Sequence, residues 1–167
     1  MTRTRTSGIA SIMRARVWPL AAACLLVGLL PCAAAQATAA QQVHATQAWI
    51  RVLPGALPAG AYVTLRNDGD QPVQLTGAKS SSYAQAMLHQ SSMSGGMSHM
   101  SGIGSLAIPA HGQVVLAPAG YHLMLMHAIA PVVPGTRVRL TLEFSDGSSL
   151  PVEFLARPAN AIGPDSH

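Results

Sequence analysis

The chain has 167 residues, 49% of them hydrophobic and only 10% charged, with a formal net charge of +4, a length that fits one domain. Four of its ten basic residues (Arg3, Arg5, Arg14, Arg16) precede residue 17 and all six acidic residues follow it, so the remainder balances six basic against six acidic groups. A neutral body lacks the electrostatic footprint of a nucleic-acid binder, which excludes that class as a first reading.

The first 37 residues read as a secretory signal and its cleavage region. A basic start is followed by an uncharged stretch, Val17–Leu30, and then by small residues that offer A-x-A sites at Ala33-Ala34-Ala35 and Ala35-Gln36-Ala37. The stretch is shorter than the roughly 20 apolar residues a membrane span needs, and it holds Pro19. Cleavage is expected to leave a soluble protein beginning at Gln36 or Thr38. Pro31 is a poor neighbour for lipid attachment at Cys32, and without an adjacent Arg pair the general secretion route into the periplasm is expected. Cys24 and Cys32 are the two cysteines, so the exported chain has neither thiol nor disulfide and must rely on a hydrophobic core.

Beyond a flexible lead-in (36–42), alternating apolar and polar residues predict strands at 43–53, 61–67, 73–78, 84–90, 114–116, 122–127, 137–144 and 150–155. Turn residues such as Asn67-Asp68-Gly69-Asp70, Pro134-Gly135 and Asp146-Gly147 separate several of them. The expected fold is an all-β, Greek-key sandwich or barrel spanning 38–157, with 158–167 as a flexible C-terminal tail. Residues 91–104 (SSMSGGMSHMSGIG) interrupt the pattern and read as a Ser/Gly-rich loop carrying Met93, Met97, His99 and Met100.

Soft ligands concentrate around this loop. His122 and Met124 are two apart on a predicted strand and share a face about 6.6 Å apart, with Leu123 and Leu125 turned the other way. His89 ends another strand. Two imidazoles with two thioethers select copper, and thioethers favour Cu(I). Hard cations want oxygen ligands, yet there is no Asp or Glu between Asp70 and Glu143. Met87 and Met126 are expected in the core, His44, His111 and His167 at the surface, and His127 on the opposite strand face from His122.

The order His89-x10-Met100-x21-His122-x-Met124 resembles the copper-binding signature of the PCuAC family of periplasmic copper chaperones. Ala48-Trp49-Ile50-Arg51, Ala61-Tyr62-Val63-Thr64-Leu65, Ile108-Pro109-Ala110 and the run from Pro118 to Met126 resemble further segments of that family, so that the likeness covers 45–155. Ala119 and His127 depart from it, each standing where glycine is frequent. The resemblance implies a cupredoxin-like β-sandwich that binds Cu(I) through His89, Met100, His122 and Met124. The loop's own Met93, Met97 and His99 are expected as secondary or substitute ligands, with core gap filling as the alternative for Met93 and Met97. The resemblance also implies delivery toward cytochrome oxidase assembly, through a transient complex with a copper-accepting protein such as an oxidase subunit or another chaperone.

Other classes fit less well. An electron-transfer cupredoxin needs a Cys ligand. A hydrolase needs a nucleophile elbow, triad or carboxylate pair, and none is legible, so no enzyme is expected. Copper sequestration, or a metal-free β-sandwich interaction module, are the alternatives to a carrier. The Ser/Gly-rich loop is expected to swing, with Met100 as the releasable ligand and His122-x-Met124 as the rigid half.

Overall fold

A computed structural model describes residues 37–165; the whole signal region up to residue 36 lies outside them. The fold is all-β, as expected. After a single helical turn, α1 (Ala39–Gln42), come β1 (Val43–Arg51), β2 (Ala59–Asn67), β3 (Val73–Ser80), β4 (Tyr83–Ser94), β5 (Met97–Gly102), β6 (Leu106–Ile108), β7 (Gln113–Leu116), β8 (Tyr121–Ala128), β9 (Arg137–Phe144) and β10 (Ser149–Arg157). Hydrogen bonding runs β5-β4-β8-β2-β1-β10-β9-β3-β6, with β7 also paired to β2. Neighbours pair antiparallel except β1 and β10, which run parallel through Trp49 and Leu155.

Alternation builds the interior. Val138, Leu140, Leu142 and Phe144 of β9 are buried, as are Ala61, Val63 and Leu65 of β2, Leu123 and Leu125 of β8, and Phe154 and Ala156 of β10, all in one cluster. Side chains from β8 and β9, far apart in strand order, meet there, so the sheet is folded on itself around the core. Each large aliphatic side chain so buried contributes about 1.5–3 kcal/mol, and the described residues, which contain no cysteine, rest on that burial.

Three expectations change. The lead-in is anchored: the Asp146 carboxylate accepts from Ala39 N at 2.7 Å and from Ser148 N at 2.9 Å, tying α1 to the β9–β10 turn. The expected tail is tethered at its start, where Ala161 is buried against Trp49 and Tyr62 and its carbonyl accepts from Arg51 Nε at 3.1 Å. The Ser/Gly-rich segment is no loop but a two-stranded hairpin, with Ser94 opposite Met97 and His89 opposite Gly102. Its two-residue turn, Gly95-Gly96, has φ of 58° and 77°. A tight hairpin turn needs positive φ at both central residues, which two glycines supply without strain.

Candidate metal centre

The site is set by register. In β4 and β8, His89 lies directly opposite His122, and Met87 opposite Met124. Tyr62 of β2 and Trp49 of β1 continue the same row, since Trp49 pairs with Tyr62 and Ala61 pairs with Leu123. One face of the sheet therefore carries a line of rings from Trp49 to His89. Their centroids are 4.6 Å apart for Trp49 and Tyr62, 6.4 Å for Tyr62 and His122 and 5.8 Å for His122 and His89.

A bulge makes this row possible. Val43 and Ala45 of β1 point to the core, and strict alternation would send Trp49 after them. The register slips between Thr46 and Trp49, with Gln47 at φ 54°, so Ile50 takes the core and Trp49 turns onto the outer face. Bulges commonly re-aim side chains in this way. The Arg51 guanidinium lies 5.5 Å from the Trp49 ring centre and 5.4 Å from that of Tyr62. Burial pushes the Tyr62 phenol pKa up, and Arg51 partly offsets that.

The two imidazoles are prepared differently. His122 is buried, and its Nδ1 lies 3.1 Å from the Gly120 carbonyl. A carbonyl only accepts, so Nδ1 carries the proton and Nε2 presents its lone pair, the usual way a second contact fixes a ligand's tautomer. His89 has a buried Nδ1 with no hydrogen-bond partner among the described residues, an arrangement that costs free energy unless something completes it. Desolvation, with the neighbouring His122, holds the His89 pKa below the free histidine value, which keeps the ring neutral and able to donate to a metal.

The methionines follow the ladder. Met124 shares the outer face with His122, because Leu123 and Leu125 between and beyond them are fully buried. Met100 lies opposite Ser91, diagonally next to His89 on that face, and is 54% exposed. Met93, opposite Ser98, also has the parity of His89. Met97 and His99 pair with Ser94 and Ser92, so alternation turns them to the reverse face of the hairpin. The ladder thus places those two, expected as stand-ins for Met100, on the other face from it. Met87 and Met126 are not core residues either: they share the outer face, and Met87 is 42% exposed. That could have been read from parity, since Leu88 and Leu125 take the inward positions.

The other described histidines are peripheral, and His167 lies outside the described residues. His44 and His111 are exposed and pair with Asp68 at 3.3 Å and Asp70 at 2.8 Å. His127 sits at the end of β8 with φ 55°. It lines an apolar hollow of about 910 Å³ between the β1–β2 and β8–β9 connections, away from the imidazole pair. Among the described residues no three His, Cys, Asp or Glu side chains gather around a point. A metal at the imidazole pair must complete its shell with thioethers, which suits a soft monovalent ion and not zinc or calcium.

Known proteins share this architecture. The family model described as "Putative lipoprotein LpqE-like" matches residues 43–156. The "Putative lipoprotein Lxx21020" of Leifsonia xyli subsp. xyli (strain CTCB07) is 34% identical over 138 residues, 78% of this chain and 82% of that protein. The solution structure of CuI-DR1885 from Deinococcus radiodurans is 35% identical, with a TM-score of 0.56 over 75% of this chain and 83% of its own. The apo PCuAC domain of PmoF2 has a TM-score of 0.61 over 73% of this chain and 94% of its own. At 22% identity that last likeness is one of fold. By the match over 43–156, this chain belongs to the LpqE-like family, and its β fold is that of PCuAC domains.

Proposed function

We propose that the protein is an exported Cu(I) carrier that binds one ion through His89, His122, Met124 and Met100 and hands it to an acceptor, in the direction of cytochrome oxidase copper-centre assembly. The observation that carries this reading is the facing pair His89–His122, with ring centroids 5.8 Å apart on a face that otherwise offers thioethers. Two relatives support it by their own descriptions: one is a copper-bound PCuAC domain, the other the Cu(I) form of DR1885. The lipoprotein descriptions of the family and its relative support export to the periplasm.

Each ligand has its own part. His122, pinned by Gly120 and Tyr62, is the fixed point, and Met124 extends from the same strand. His89 supplies a neutral second nitrogen. Met100 is the most exposed of the four, so an acceptor can displace its thioether first and take the ion by stepwise ligand exchange. The hairpin ladder holds the backbone while this happens, so release depends on the Met100 side chain and not on a swinging loop.

Anaerobic titration of the exported protein with Cu(I) against a competing chelator tests the reading. One tight equivalent per chain is expected, and His122→Ala should weaken it on the order of 100-fold or more. Wild-type affinity in folded His122→Ala would overturn the assignment.

A further inference from the structure

Three thioethers on the outer face, Met87, Met124 and Met126, form a group that the imidazole site does not exhaust. Met87 lies directly opposite Met124, and Gln85 opposite Met126, which makes Met126 the diagonal neighbour of Met87. Facing pairs in a ladder have Cβ atoms about 4.5–5.5 Å apart and diagonal ones about 7–8 Å, within reach of long side chains. Leu88, Leu123 and Leu125 occupy the inward positions and are buried, so the three sulfurs share one side of the sheet. Gly60 is opposite Met124 on the far side, and its lack of a side chain leaves the Tyr62 phenol lying over it.

Methionine is an unusual choice for this face. A solvent-facing strand surface is normally polar or β-branched, as on β9, whose outward residues are Arg137, Arg139, Thr141 and Glu143. An uncharged, unbranched sulfur at three adjoining positions has neither the solubility of the first nor the strand preference of the second. What three thioethers do offer is a soft, neutral donor set.

We propose a second Cu(I) position held by Met87, Met124 and Met126, one row along the sheet from the imidazole pair. The inference rests on the reading that this face handles Cu(I). Rows of same-face residues are about 6.6 Å apart, and Met124 belongs to both sets. An ion can therefore move between them while attached to Met124, giving up its Cu–N bonds to His89 and His122 and its Cu–S bond to Met100 and forming Cu–S bonds to Met87 and Met126. Copper stays Cu(I) throughout, no proton is taken up by the thioethers, and all-thioether ligation disfavours Cu(II) and Zn(II). The second position is the weaker one and serves as a staging point during transfer.

The test is anaerobic Cu(I) titration, with a weak competing chelator, of the full exported chain and of His89→Ala/His122→Ala. The double variant should still bind one Cu(I), about 100-fold or more weaker than wild type. Adding Met87→Leu and Met126→Leu should reduce that residual affinity by at least about tenfold, while adding Met93→Leu and Met97→Leu instead should leave it within about twofold. Leucine conserves volume, and Met87→Leu alone, at an exposed position, provides a fold-safe check with the same expected direction. A folded double variant that binds no Cu(I), or whose residual binding depends on Met93 and Met97, overturns the thioether site and leaves the carrier reading intact. Wild-type protein that binds no Cu(I) overturns that reading itself.

Discussion

At the scale of single residues, two positions where this chain departs from the glycine frequent in PCuAC proteins turn out to be conformationally special. Ala119 has φ 65° and His127 has φ 55°, a region that disfavours side chains with a Cβ by about 1–2 kcal/mol. Ala119→Gly should therefore stabilise the fold by about 0.5–1 kcal/mol after the added chain entropy is discounted, measurable as a higher denaturant midpoint at unchanged slope. Gly60 is the opposite case. A Cβ there would lie 2.5 Å from the Tyr62 hydroxyl, and Tyr62 is already stacked on Trp49, so Gly60→Ala should push the phenol toward His122. Cu(I) affinity should fall by about tenfold, with Tyr62→Phe close to wild type because packing and not the hydroxyl is required. The pH response follows from His89. Protonation competes with metal, and its pKa is lowered mainly by desolvation. Proton competition at His89 should therefore set in at a lower pH than at a free imidazole, whose pKa is about 6.5, seen in chelator competition of wild type against His89→Ala at successive pH values.

At the scale of elements, the β4–β5 hairpin separates ligands that look interchangeable in sequence. Met100 has the parity of His89, whereas Met97 and His99 have the other. Met100→Leu should weaken Cu(I) binding by about tenfold or more, and Met97→Leu with His99→Ala should change it by less than about twofold. Equal losses in the two variants would mean that the hairpin does not hold its ladder in solution. Replacing Gly96 by Val should also weaken binding, because a β-branched residue is poorly accommodated at φ 77° and the turn that presents Met100 would open.

For the molecule as a whole, stability rests on the core and on two polar clasps between distant segments. Asn67 is fully buried; its amide donates to the Gln71 carbonyl at 2.8 Å and the Pro109 carbonyl at 3.2 Å, and its oxygen accepts from Gly69 N at 2.9 Å. Asn67→Leu removes these three bonds and should cost about 2–3 kcal/mol. Asp146 clasps α1, and the backbone N–H of Ala39 is the main cause of its lowered pKa. A carboxylate with a depressed folded pKa adds stability above its unfolded pKa of about 3.9, and that contribution is lost as pH falls through the folded value. Asp146→Ala should lower Tm at neutral pH, and its difference from wild type should shrink as the pH falls below the ordinary carboxylate range.

The sequence by itself determined the all-β class, the core face of β9 and the soft character of the donor set, because period-2 alternation and ligand chemistry are local properties. His122 and Met124 were legible as a pair for the same reason: two residues apart on one strand must share a face. What only the tertiary structure decided depends on pairing between segments. The bulge at Gln47 reversed the parity of Trp49, the register of β4 with β8 brought His89 opposite His122, and the Gly95-Gly96 turn converted an apparent loop into a ladder with two unlike faces. The anchoring of Ala39 by Asp146 and of Ala161 by Trp49 and Tyr62 joined residues 107 apart in one case and distant in the other. Apart from the Gly-Gly turn, which is a local hairpin signal, none of these contacts has a local signature, since each is fixed by which strand lies beside which, and that follows from closing the core as a whole.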